Sequence, residues 1–240
     1  MSVTRFRQRT PGPECEIEDA IENHIKDLCF PHDPLLWMGG SIPVGAGRPD
    51  LVVASCDPNV LALAHVDMPT VEVLAYLRAV NEARPETIVN RIGATQEVVI
   101  RYLDGLVEAQ AVSAHATTYS LAPCWREILP EVVTIEAKVS DWQRAVEQAA
   151  RNRIFAHRSF VGLPDTVAKR VRREPVFAQL GLGIFGVNNK HEVRIVRRGD
   201  RRQPRVWWYY YQVALMIAQH FGRPENAICR TVASSPGRLS

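Results

Sequence analysis

Apolar side chains at Ile17, Ala20, Ile21, Ile25 and Leu28 recur three and four residues apart, with acids between them. This spacing predicts an amphipathic helix over Pro13–Cys29. Residues 31–44, with their prolines and glycines, read as a connector that includes a short strand. The run Gly47-Arg-Pro-Asp-Leu-Val-Val-Ala then enters a β-branched strand with Asp50 at its mouth. After the turn signal Asp57-Pro58-Asn59, the apolar run 60–66 is expected to be that strand's hairpin partner. The pattern next turns helical over 70–82, 85–92 and 95–110. Pro85 suits a first helical position, Gly93 a helix end and Thr95 an N-cap. Residues 111–122 alternate and carry threonines and a tyrosine, as a small two-stranded wing does. Beyond Pro123 the chain alternates again: a central strand over 132–139, a helix over 142–156 capped by Ser140 or Asp141, and a strand over 159–163. A helix over 164–180, strands over Gly183–Val187 and 192–197, and an aromatic helix over 205–221 follow. The tail 231–240 is small and polar and is expected to be loose. The whole predicts an α/β fold in three sequence blocks, 1–66, 67–122 and 123–240, the first and third completing one mixed sheet and the middle one inserted in it.

Composition narrows the classes without choosing among them. At 240 residues the chain has room for a buried core, and 46% hydrophobic with 23% charged residues excludes a disordered or low-complexity polymer. The apolar runs are too short to cross a bilayer, and the opening MSVTRFRQRT lacks the apolar centre of a secretory leader. A cytoplasmic location and no membrane partner are therefore expected. Cys15, Cys29, Cys56, Cys124 and Cys229 are scattered, with no C-x-x-C pair, and read as free thiols.

Charge is more informative in its distribution than in its total of +3. Residues 14–33 hold seven acids against Lys26 alone, whereas 151–205 hold fourteen Lys or Arg against four acids. A basic segment of that kind points to a polyanion such as nucleic acid, with a solvated charged face as the plain alternative. Arg144, Arg151 and Arg153 are candidate phosphate contacts, Arg144 and Arg151 sharing a helix face with Gln148. The loop 197–202 carries four more arginines. The run Trp207-Trp208-Tyr209-Tyr210-Tyr211 reads as packed core or a partner interface, since five consecutive aromatics on a helix point in every direction.

The strongest chemical constellation is Arg48-Pro-Asp50 at the start of one strand and Glu136-Ala-Lys138 in another. Residues two apart on a strand share a face, so Glu136 and Lys138 project together while Ala137 faces the core. If the Asp50 strand lies alongside, two carboxylates converge on an oxygen-rich site suited to Mg²⁺ or Mn²⁺. The alternative is a turn-capping Asp50 with a surface Glu136–Lys138 pair on an edge strand.

These residues resemble the PD-(D/E)xK nuclease superfamily. The resemblance implies a restriction-endonuclease-like mixed β-sheet flanked by helices, and metal-dependent hydrolysis of DNA phosphodiesters in phage defence, repair or mobile-element processing. It makes Asp50 and Glu136 metal ligands, Lys138 the catalytic lysine and Gln148 the glutamine of the following helix. The residue four after Gln148 is Asn152, not the tyrosine of the Q-x-x-x-Y branch. The first-helix glutamate of the family corresponds to Glu18 or Glu22, with Glu18 preferred. A non-catalytic DNA-binding regulator or adaptor that keeps the fold is the alternative, and a homodimer or a protein partner suits either.

The segment Ile88-Val-Asn-Arg-Ile-Gly-Ala-Thr-Gln-Glu-Val-Val-Ile-Arg-Tyr-Leu-Asp-Gly-Leu-Val-Glu-Ala-Gln-Ala-Val112 resembles the helix-turn-helix and wing entry of winged-helix domains. That resemblance implies a third helix positioned on a duplex, with Arg101 as a contact. Glu97, Asp104 and Glu108 on the same helix suit a protein contact equally. Gly181-Leu-Gly-Ile-Phe-Gly186 matches G-x-G-x-x-G, but a strand running through the motif, as expected here, is incompatible with a dinucleotide fingerprint.

Overall fold

The structure is a computed structural model and describes residues 3–33, 35–45 and 47–222. Cys229 and the tail 231–240 lie outside the described residues. In chain order the elements are β1 (Val3–Arg5), α1 (Pro13–Cys29), β2 (Leu36–Gly40), β3 (Leu51–Ser55), α2 (Thr70–Val80), β4 (Glu82–Ala83), α3 (Pro85–Ile92), α4 (Gln96–Glu108), β5 (Val112–Ala114) and β6 (Tyr119–Leu121). They continue with β7 (Glu131–Ala137), α5 (Trp142–Asn152), β8 (Arg158–Pro164), α6 (Asp165–Val171), α7 (Pro175–Leu180), β9 (Gly183–Val187), β10 (Val193–Arg197) and α8 (Trp207–Gly222). Among the described residues two compact units emerge: those up to Cys56 with Leu129–Tyr210, and Asp57–Ile128 with Tyr211–Gly222.

The first unit is a seven-stranded mixed sheet in the order β1-β2-β3-β7-β8-β9-β10. Strands β7, β8 and β9 are mutually parallel, and β2, β3 and β7 are successively antiparallel. β7 is therefore central, with both faces covered, as its near-continuous apolar sequence requires. Ile17, Ile21 and Ile25 of α1 pack on one face against Val133, Ile135, Ala137, Phe160 and Phe185. Ala145, Val146 and Ala149 of α5 cover the other face with Val161, Leu163 and Ile184, joined by Ala168 and Val171 of α6 and Phe177 of α7. Alternate residues of β7 thus serve opposite layers.

The second unit contains helices α2, α3 and α4 and a three-stranded antiparallel sheet ordered β4-β6-β5. Leu74, Leu77, Ile88, Val99, Leu103 and Leu106 are fully buried in it. Gly93 ends α3 at φ 73°, a left-handed conformation that glycine adopts without Cβ strain, and Thr95 Oγ1 accepts the Val98 amide as the N-cap of α4.

Two expectations need correction, and one edge strand was not expected. Residues 60–66 form no hairpin strand: Pro58–His65 is a 3₁₀ helix, whose Asp57 carboxylate caps the Asn59 amide and whose Val60 and Leu63 are buried at a helical interval. β3 pairs instead with β2 and β7. The expected single helix over 164–180 is two, because Pro175 starts α7 and holds Glu174 extended. The edge pairing of β1 with β2 gave no periodic signal, being three residues long. The G-x-G-x-x-G motif does carry a strand, β9, with Gly181 closing α7 in the left-handed region. Among the described residues, no helix is long and apolar enough to cross a membrane.

Candidate active site

Two neighbouring strands in the middle of the sheet carry the site. The antiparallel register pairs Leu51 with Ile135. One further step along both strands sets Asp50 opposite Glu136, on the face that α5 covers. Ala137 points the other way, into the α1 layer, as the two-residue period demands. The edge-strand alternative is thereby excluded, since Glu136 sits on the fourth of seven strands and is 2% exposed.

Asp50 Oδ2 accepts the Ala137 amide at 2.8 Å and lies 3.8 Å from Lys138 Nζ. Glu136 Oε1 accepts from Asn152 Nδ2 at 2.7 Å, while Oε2 is buried with no donor. Lys138 extends the β7–β8 ladder through its amide, and its ammonium donates to Ala137 O at 2.8 Å and to Glu14 Oε2 at 3.1 Å. Glu14, Glu18 and Glu22 follow at four-residue intervals along one side of α1. Only Glu14 reaches Lys138. Glu18 accepts from Arg9 at 3.2 Å, and Glu22 pairs with Arg5 and Arg9.

Opposed carboxylates in a buried setting cannot both ionise cheaply. Burial, then the charge of Asp50, pushes Glu136 up to about 8. Asp50 is raised as well, mainly by burial, with Lys138 and the Ala137 amide pulling it back. Burial and then Asp50 push Glu18 up to about 7, against the pull of Arg9 and Arg5. Burial works against the Lys138 ammonium, but Asp50, Glu14 and Glu136 outweigh it and raise its pKa. Near neutrality Glu136 therefore keeps its proton and the lysine stays charged.

The residues fit a divalent cation on their own chemistry. Glu136 Oε2 and Gln148 Oε1 are both buried oxygens without a donor. Gln148 lies one turn before Asn152 on the same side of α5. Two carboxylates and an amide oxygen are the hard ligands that Mg²⁺ or Mn²⁺ accepts. Among the described residues no group of three or more His, Cys, Asp or Glu gathers in a metal-binding arrangement. The rest of such a cation's shell would therefore come from neutral oxygens and water.

The candidate phosphate contacts are dispersed. Arg144 and Arg151 are exposed on α5, Arg144 offering its backbone amide to the Asp141 cap. Arg153 is half-buried and donates to the carbonyls of Gly181 and Asp200 at 2.5 and 3.2 Å. Arg101 is exposed on α4, its guanidinium 5.8 Å from the Tyr102 ring centroid. Tyr210 and Tyr211 are buried, their hydroxyls bonded to Leu129 and Trp125 respectively, while Trp207, Trp208 and Tyr209 are half-buried.

Sequence reasoning missed Glu14 and the role of Asn152. Glu14 looks like any acid in a first helical turn, and only the tertiary approach of α1 to the end of β7 distinguishes it. Asn152 had a signal, lying one turn beyond Gln148 on the sheet-facing side. No protein family, curated protein or solved structure matches the chain.

Proposed function

We propose that the chain is a metal-dependent DNA nuclease of the PD-(D/E)xK kind. The observation that carries this reading is the opposition of Asp50 and Glu136 on adjacent central strands, with the Lys138 ammonium 3.8 Å from Asp50 and Glu136 Oε2 left without a donor. The order of helix α1, Asp strand β3, E-x-K strand β7, helix α5 and strand β8 supports the same reading. In the second unit, the succession helix, strand, helix, helix, strand, strand supports an inserted winged helix, whose α4 would meet a duplex or a protein.

Asp50, Glu136 and the Gln148 amide oxygen would hold a divalent cation, which would neutralise the pair and polarise phosphate and water for hydrolysis. The chain's own groups have separable tasks. Asn152 holds one oxygen of Glu136 and leaves the other free. Glu136, which keeps its proton near neutrality, would give it up where a cation is held. Lys138, kept charged, serves as a donor rather than a base: it orients the attacking water or stabilises negative charge developing on the phosphate. Glu14 tethers that ammonium from α1.

Cleavage of labelled linear, circular and single-stranded DNA in Mg²⁺, Mn²⁺ or EDTA tests the proposal. The expected result is metal-dependent cutting by the native chain that is lost in Asp50→Ala and Lys138→Ala. Tight, metal-independent binding without cutting would instead establish the non-catalytic regulator.

A further inference from the structure

The end of α5, the end of α7 and the chain approaching α8 enclose a second, basic pocket within the first unit. It has a volume of about 200 Å³ and is lined by Arg153, Arg202, Arg205, Gln179 and Gln203, with Ile154 at its wall. Neither Asp50 nor Glu136 contributes to it. That volume is below the range of drug-sized ligand sites, yet it accommodates a small oxyanion with part of its ester.

Arg153 is anchored by its two carbonyl contacts, so its guanidinium is held in place before any ligand arrives. Arg202 Nη2 reaches Asp200 Oδ2 at 3.3 Å. Arg205 gives its backbone amide to Ile154 O at 2.8 Å, and its side chain has no partner among the described residues. Burial and the charges of Arg202 and Arg205 lower the Arg153 pKa, with Asp200 opposing them. Three guanidiniums thus converge where one carboxylate answers them. Like charges gathered in a cleft focus the field on an anion. The number of available N–H groups, from three planar forks and two amides, exceeds what a carboxylate's two oxygens can accept and suits a phosphate.

We propose that this pocket is a phosphate-binding subsite in which Arg153, Arg202 and Arg205 grip one phosphate group, either of a nucleic-acid backbone or of a small phosphate ester. The subsite does not depend on hydrolysis at Asp50 and Glu136.

Binding is therefore measured in EDTA, with no readout of cleavage. The native chain is compared with Arg202→Ala/Arg205→Ala and with Arg202→Lys/Arg205→Lys, and with Lys26→Ala/Lys190→Ala, which removes equal charge from exposed positions elsewhere. Arg202 and Arg205 are exposed, and melting curves verify that each variant folds. The probes are a fluorescent oligonucleotide, followed by anisotropy over a salt series, and inorganic phosphate and a mononucleotide, followed by calorimetry. The arginine-to-alanine pair is expected to weaken binding tenfold or more and to flatten the dependence of log K on log salt by about 0.7–0.9 for each phosphate no longer neutralised. The lysine pair falls between, and the control pair binds like the native chain. Loss confined to the oligonucleotide assigns the phosphate to a polymer backbone; loss that extends to phosphate and mononucleotide assigns it to a small ester. Equal binding by the native chain and the alanine pair, or no binding of any probe by the native chain, overturns the proposal.

Discussion

Replacing Glu136 by glutamine should stabilise the metal-free chain near neutral pH and leave it unchanged in acid. Glutamine reproduces the protonated acid: its carbonyl can accept from Asn152 as Oε1 does now, and its amide can donate toward Asp50. Glu136 in the folded chain holds its proton until about 8, whereas an ordinary glutamate releases it near 4.5. The folded state therefore binds more protons between those values, so native stability falls as pH rises through that window. At about 1.4 kcal/mol per pKa unit, the loss by pH 7 is roughly 3 kcal/mol. Urea unfolding in EDTA, followed by circular dichroism, would register this as a midpoint roughly 1 M higher for Glu136→Gln at pH 7, for an m-value near the top of the usual range. The difference should shrink to nothing near pH 4.5. Adding Mg²⁺ at pH 7 should raise the midpoint of the native chain by mass action and leave that of the variant in place. If Glu136→Gln is less stable than the native chain at both pH values, the pair is a satisfied structural feature and the reasoning fails.

Two further outcomes follow from the same geometry. His157 is 2% exposed, its Nδ1 accepts the Val132 amide at 3.0 Å, and burial followed by Arg201 and Arg158 lowers its pKa to about 4. The unfolded chain then binds the extra proton between about 6.5 and 4, so stability falls on acidification through that range, by roughly 3 kcal/mol; His157→Asn in the Glu136→Gln background should remove this slope in urea titrations, and an unchanged slope would refute it. Glu14→Gln should lower the cleavage rate about tenfold, the order expected when a positioning group is removed, with little change in the metal concentration needed for half-maximal rate. An equal loss in both quantities would make Glu14 a cation ligand instead of a tether for Lys138.

Much of this arrangement was legible because burial leaves a strong trace in sequence. β7 and β9 are covered on both faces and so read as near-continuous apolar runs, against which a Glu136-x-Lys138 pair stands out. The helix α1 showed its full span through a clean apolar stripe. What escaped had no such periodicity. Residues 58–65 form a short apolar run that fits a strand or a helical turn equally, and the Asp57 cap settles it. β1 and β4 are too brief to alternate. The role of Glu14 depends on where a helix end lands in space, and the convergence of Arg153, Arg202 and Arg205 joins residues on separate segments that no local spacing relates.

The two ends of β7 make the case for function more sharply than the motif does. At its start, Glu131 meets Arg201 at 2.9 Å and Arg158 at 3.7 Å, an acid answered by two cations near solvent. There charge is answered by charge, although Glu131 Oε1, like Glu136 Oε2, accepts no hydrogen bond. Toward its end, on the same strand and in a drier setting, Glu136 faces another acid and is 2% exposed. A chain selected only for stability has an easy remedy there, since an amide or an apolar side chain at position 136 removes the repulsion. The cost is retained beside a lysine whose charge the same carboxylates reinforce. That combination is what a site awaiting a cation would show, and it is why the stability of Glu136→Gln and the metal dependence of cleavage should move in opposite directions: the variant that folds best without metal is the one that cannot cut.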